Sequence, residues 1–272
     1  MIIDTHTHIF PDKIAAAAIP KLSSVIELEP SMNGTADGLR ESMERGNIDL
    51  SVILPIVTAP HQYESILRFA IFINETYQQG DRKLLSLASV HPDESNFKEQ
   101  LRQIQREGFK GIKIHPYYQH VHFDDLRYLR ILYAASELGL CIVTHAGYDP
   151  YNLSEDFCTP DMIINAVRET APPKLVVAHM GNNENYDESE AKLCGLNLYM
   201  DTAYTISHIE EEQFIRMCRK HGTDKIMFAS DAPWADQGTS ALRLSNMNGL
   251  SDCEKDMILY QNALRFFGIE NI

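Results

Sequence analysis

Met1-Ile-Ile-Asp-Thr-His-Thr-His8 is a short apolar run that closes on two imidazoles. Side chains of a strand alternate with a period of two, so His6 and His8 point to one face and can hold one metal ion. A second His-x-His, His120-Val-His122, follows Pro116 in a polar, aromatic stretch and reads as solvated loop. Four further runs end in the same way. Gly111-Ile-Lys-Ile-His115 precedes Pro116, Leu140-Cys-Ile-Val-Thr-His145 precedes Ala146-Gly147, Leu175-Val-Val-Ala-His179 precedes Met180-Gly181, and Ile226-Met-Phe-Ala-Ser-Asp231 precedes Ala232-Pro233. Each is an apolar run, a candidate ligand and a turn breaker. One such histidine would be ordinary packing, but the repetition places polar chemistry at successive strand ends, as the C-terminal face of a (β/α)8 TIM barrel requires.

The rest of the chain fits that α/β architecture. Strands are expected near Ile2–His6, Leu50–Ile56, Leu84–Val90, Gly111–His115, Leu140–His145, Leu175–His179, Leu196–Asp201 and Ile226–Ser230. Ser51-Val-Ile-Leu-Pro and Leu175-Val-Val-Ala are apolar without alternation, as strands buried on both faces should be. Amphipathic stretches Ile66–Tyr77, Phe97–Glu107, Leu126–Glu137 and Glu212–His221 lie between them, and Asp252–Phe267 reads as a closing helix. Thr159-Pro160 supplies an N-cap and a first-turn proline, while Ser207-x-x-Glu210 and Ser251-x-x-Glu254 match the capping box. The stretch Ile9–Gly38 carries no assignable pattern.

Length and composition bound the function. The 272 residues suit one barrel domain spanning 1–272, with 44% hydrophobic and 23% charged residues. No apolar stretch approaches the roughly 18 residues of a membrane span, and the first strand begins too early for a signal peptide, so a cytoplasmic protein with no membrane partner is expected. Five cysteines (Cys141, Cys158, Cys194, Cys218, Cys253) without CxxC spacing read as reduced core filler. The net charge of −14 disfavours a phosphate backbone, so a small-molecule substrate is expected and nucleic acid is not. A homodimer is the oligomer considered.

The motifs Asp4-x-His6-x-His8, Gly111-Ile-Lys-Ile-His-Pro116, Thr144-His-Ala-Gly147, Ala178-His-Met-Gly181 and Ser230-Asp-Ala-Pro-Trp234, taken together, resemble the amidohydrolase superfamily. The likeness is nearest to the amidohydrolase 2 branch, which holds aminocarboxymuconate-semialdehyde-type decarboxylases alongside lactone and amide hydrolases. It implies that His6, His8, His145 and Asp231 hold one divalent metal per chain, usually zinc, with His179 acting beside it. The residue chemistry agrees, because three imidazoles and a carboxylate suit Zn²⁺ and tolerate Mn²⁺ while leaving a position for water. Zinc lowers the pKa of bound water to about 7, and His179, with an ordinary pKa near 6.5, suits a general acid or base, a proton Asp231 could share.

Lys113 and His115 share a strand face. Some relatives carry a carboxylated lysine on this fourth strand that bridges two metals, which would draw His179 into coordination; the one-metal branch leaves Lys113 as an inward structural or substrate-side cation. His115, Tyr117, Tyr148 and Trp234 follow strand ends and are candidate substrate contacts. Hydrolysis of a small amide, ester or lactone is the leading expectation, and nonoxidative decarboxylation of a small carboxylic acid is the alternative. A barrel-type magnesium-dependent deoxyribonuclease fits less well, since that family has a glutamate on the fourth strand. A non-catalytic scaffold would leave the ligand set without a use.

Overall fold

Every expected run becomes a strand in the computed structural model, which describes residues 1–150 and 155–270. The strands are β1 (Ile3–Thr7), β2 (Leu50–Ile53), β3 (Lys83–Ser86), β4 (Ala88–Ser89), β5 (Gly111–Ile114), β6 (Cys141–Thr144), β7 (Leu175–Val177), β8 (Tyr199–Asp201) and β9 (Ile226–Met227). The third expected strand is split at Leu87 into β3 and β4, where Ser86 Oγ donates to the Leu87 carbonyl at 2.8 Å. Helices intervene. Those at Tyr63–Tyr77, Phe97–Arg106, Leu126–Glu137 and Glu211–His221 match the amphipathic stretches to within a few residues.

Caps decide several boundaries. Thr159 Oγ1 accepts from Met162 N at 3.4 Å, and Ser251 and Glu254 form the reciprocal capping box. The box expected at Ser207 is absent. Ser207 closes a 3-10 turn at Thr205–Ser207, and Glu210 takes the cap position of the next helix without a side-chain bond. The unassigned stretch after β1 holds a helix, Asp12–Ile26, and a further helix follows at Ala36–Gly46, where Thr35 accepts from Gly38 N at 3.0 Å. The closing helix contains a π-helical turn, Met257–Gln261, whose Ile258 carbonyl accepts from Phe228 N at 2.8 Å.

Contacts gather the chain into two units, each discontinuous in sequence. Unit 1 comprises Met1–Ile53, Ile73–Leu85 and Asp201–Ile272, and unit 2 comprises Leu54–Phe72 and Ser86–Met200. In unit 1, β1 runs parallel to β2, pairing Ile3 with Leu50 and Asp4 with Ser51. Its other edge meets the chain leaving β9: Thr5 N donates to Phe228 O at 3.0 Å, Asp231 N to His6 O at 3.0 Å and His8 N to Ala232 O at 2.7 Å. In unit 2, β4, β5, β6 and β7 are successive parallel neighbours, and β7 pairs with Tyr199 and Met200 of β8. All residues of β5, β6 and β7 are buried, which is why their sequences are apolar on both faces apart from Lys113 and Thr144. No helix among the described residues is long and apolar enough to cross a membrane.

Cys141, Cys158 and Cys218 are buried, whereas Cys194 is half-buried and Cys253 exposed, so core filling accounts for the first three only. Burial pushes the Cys141 thiol up to about 12, which keeps it neutral and unreactive.

Candidate metal centre and the histidine cluster of unit 2

In unit 1 three of the expected ligands converge. The parallel ladder between β1 and the chain after β9 ends at His6, His8 and Asp231, whose ligand atoms lie within 4.8 Å of one another. His6 Nε2 and His8 Nε2 are 3.2 Å apart, and Asp231 Oδ1 is 3.5 Å from the first and 3.3 Å from the second. Two imidazole nitrogens and one carboxylate oxygen at such spacing fit a divalent metal with bonds of about 2.0–2.2 Å. His6 is 1% exposed, so the set is desolvated on its inner side and open at His8.

Two residues prepare this triad: Asp201, which the sequence reading did not single out, and Asp4, which it named only as the head of the first motif. Asp201 Oδ2 lies 2.9 Å from His6 Nδ1 and accepts a hydrogen bond from its N–H, which leaves Nε2 with a lone pair facing His8 and Asp231. Asp4 is fully buried between the two strands. It accepts from His6 N at 3.2 Å, Ser230 N at 3.0 Å, Ser230 Oγ at 2.5 Å and Gln237 Nε2 at 2.8 Å. Burial pushes its carboxyl up to about 6 and the hydrogen bonds oppose that rise, so Asp4 clamps the ladder that sets His6 beside Asp231. Both residues sit on strands whose run ends were already visible, and that position was the available signal. Replacing Asp201 with alanine is expected to weaken metal affinity by about 10–100-fold, the usual scale for an orienting partner, and competition with a chelator would measure it.

Unit 2 gathers the other histidines at the ends of β5, β6 and β7. His115 and His145 stack with ring centroids 4.4 Å apart, and Nε2 of His179 is 3.0 Å from Nδ1 of His145. All three are buried. Asp149, also outside the sequence expectation, places Oδ2 3.6 Å from His115 Nε2 and 3.8 Å from His145 Nε2. Gln119 braces this corner: its Oε1 accepts from His115 N at 3.0 Å and Tyr128 OH at 2.6 Å, and its Nε2 donates to Val57 O and Val90 O at 2.8 Å each. Asp149 and Gln119 lie off the strands, where no periodic pattern marks them.

Backbone strain falls on both residues assigned catalytic work. His179 has φ 57° and Asp231 φ 74°, left-handed values that cost a non-glycine residue about 1–3 kcal/mol and concentrate at functional positions. The remaining candidates divide. Lys113 is completely enclosed on β5, near enough to Cys158 to pull its thiol down against the larger effect of burial. Tyr117 and Tyr148 line a 220 Å³ cleft of unit 2 with Gly147, Asp156, Asn183 and Glu188. Burial raises the Tyr117 phenol, so it stays protonated and donates to Asp156 Oδ1 at 3.3 Å. Trp234, half-buried in unit 1, donates its backbone N–H to Asp231 O at 2.8 Å. In the loop pair, His122 Nε2 meets Glu155 Oε1 at 2.8 Å on the exterior, in keeping with a solvated loop.

Comparison with known proteins bears on these observations. The family profile described as Amidohydrolase matches residues 3–269. A 5-carboxyvanillate decarboxylase from Sphingomonas paucimobilis is 16% identical, with 99% of each chain covered and a TM-score of 0.71. A dihydroxybenzoic acid decarboxylase from a Polaromonas species, with bound manganese and 2-nitroresorcinol, is 14% identical over 100% of this chain and 98% of that one, with a TM-score of 0.70. A TIM-barrel protein of uncharacterised function from Bordetella bronchiseptica is 16% identical over 98% of each chain, with a TM-score of 0.75. No curated protein matches the sequence. These likenesses show the fold, a (β/α)8 barrel, as the strand ends imply.

Proposed function

This chain belongs to the amidohydrolase family, and on that premise we propose that it is a divalent-metal-dependent enzyme that removes carbon dioxide from a small carboxylic acid without net oxidation. The observation that carries the reading is the end-to-end likeness to carboxyvanillate and dihydroxybenzoate decarboxylases. The sequence placed hydrolysis first because a metal with an open water position and a nearby histidine serve water attack directly. The same groups serve decarboxylation, and the structural likeness moves the balance to that alternative.

Decarboxylation breaks the bond to the carboxyl carbon, leaves the electron pair on the remaining fragment, and needs one proton to quench it. When bound, the metal supplies the electron sink, drawing charge from a substrate oxygen as a Lewis acid. His6, His8 and Asp231 would hold it, and Asp201 would keep His6 in the coordinating tautomer. His179 supplies the proton to carbon as general acid. Within unit 2, Tyr117 and Tyr148 line a cleft whose aromatic wall suits a planar acid. Zinc and manganese both suit two imidazoles and a carboxylate, and a manganese-bearing neighbour supports the second.

The test is a pooled substrate screen. Metal-loaded protein is incubated with hydroxylated benzoic acids, unsaturated acids, lactones and amides, and carbon dioxide and acid release are followed separately. Carbon dioxide release from one of the acids is the expected result. Acid release from a lactone or amide with no carbon dioxide from any compound would make the protein a hydrolase.

A further inference from the structure

We propose that Gln237 is a positioning residue of the unit 1 metal centre and sets its affinity for the ion through Asp4. The inference rests on the proposed reading of His6, His8 and Asp231 as metal ligands, and every residue it uses belongs to unit 1. Gln237 opens the helix Gln237–Ser245 and is fully buried. Its carboxamide reaches the strands. Nε2 donates to Asp4 Oδ2 at 2.8 Å and to Ser51 Oγ at 2.9 Å, and Asp4 and Ser51 are themselves partners in the β1–β2 ladder. An amide oxygen turned toward the Asp4 carboxylate would be repelled, so the side chain has one workable orientation and both of its protons are engaged.

The bonds continue from Asp4 to both ligand-bearing segments. Asp4 Oδ1 accepts from His6 N and Ser230 N, and its Oδ2 accepts from Ser230 Oγ as well as from the helix. Ser230 Oγ in turn accepts from Ala232 N at 3.0 Å. Asp231 is therefore held on both sides at its left-handed φ of 74° by groups that answer to the Asp4 carboxylate. Gln237 fixes the rotation of that carboxylate, and through it the approach of His6 to Asp231.

A packing role does not account for this residue. Gln237 Oε1 is buried with no hydrogen-bond partner among the described residues, a cost that an apolar side chain of similar volume would not carry. What glutamine adds over such a residue is the pair of donated protons. The start of its helix is also seated closely. Asp236 Oδ1 accepts from Thr239 N at 2.8 Å, and Gly238 meets Gly46 of the helix Ala36–Gly46. A Cβ on Gly46 would stand 2.9 Å from Gly238 Cα, and one on Gly238 would stand 3.0 Å from Gly46 Cα. The two glycines let these helices approach until the side chain before Gly238 reaches β1.

Metal affinity separates positioning from packing. Gln237→Met keeps the volume and removes the donor, while Ser240→Ala alters an equally buried side chain of the same helix whose hydroxyl has no partner among the described residues. Zinc affinity is measured by competition with a chelator, the visible spectrum of bound Co²⁺ reports ligand geometry, and circular dichroism reports folding. Gln237→Met is expected to weaken zinc binding by about 10-fold, the low end for an outer-shell partner, and to shift the cobalt bands, whereas Ser240→Ala is expected to change neither. Should Gln237→Met not fold, Gln237→Asn, which withdraws the donor by one methylene, gives the same measurement. Wild-type affinity in a folded Gln237 variant, or an equal loss in Ser240→Ala, would overturn the positioning role and leave the ligand triad in place. Wild-type protein that binds no metal would overturn the triad and this role together.

Discussion

Replacing His8 with alanine is expected to empty the unit 1 centre and lower turnover by more than about 100-fold. Removal of an orienting partner alone costs about 10–100-fold in affinity, and loss of a ligand atom costs more. The geometry makes His8 the residue of choice. Its Nε2 stands 3.2 Å from His6 Nε2 and 3.3 Å from Asp231 Oδ1, so alanine deletes one corner of the triad. Its side chain is 15% exposed, so the lost ring opens to solvent in place of a sealed cavity, and the fold should survive. The backbone also holds, because His8 N donates to Ala232 O and alanine keeps that bond. Elemental analysis of the folded variant, beside activity on the substrate found in the screen, checks the result. Full metal occupancy with unchanged turnover would remove His8 from the centre.

The sequence revealed the strand ends because buried parallel strands are written as unbroken apolar runs, and a His or Asp at the close of such a run has little reason to be there for packing. His6, His8, His115, His145, His179 and Asp231 all carry that mark. Asp201 carries it faintly, since Tyr199-Met200-Asp201 is too short and too mixed a run to stand out. Asp149 and Gln119 carry none, as Asp149 lies in a loop and Gln119 ends the short helix Pro116–Gln119, both beyond the strands. Ser207 shows the opposite failure. Its spacing to Glu210 satisfied the capping box, but the 3-10 turn at Thr205–Ser207 consumed the serine before the helix began. A local pattern states what a segment can do, and the neighbouring turn decides whether it does so.

His179→Asn is expected to retain the metal of the unit 1 centre while lowering turnover by about 10²–10⁴-fold, the scale for losing a positioned proton carrier. The choice of asparagine follows from the backbone. His179, Met180 and Gly181 are left-handed in succession, with φ of 57°, 52° and 85°. Gly181 N donates to Ala178 O at 2.9 Å and Ser189 Oγ to Met180 O at 2.5 Å, which fixes the strained turn from outside. Asparagine accepts left-handed φ better than most residues, so the turn should keep its shape, and its carboxamide oxygen can still accept from Nδ1 of His145. What it cannot do is carry a proton near neutral pH. Metal analysis and turnover measured on the same preparation separate the outcomes. Loss of the metal together with activity would move His179 into coordination. Unchanged turnover would show that the strain serves only to hold His145.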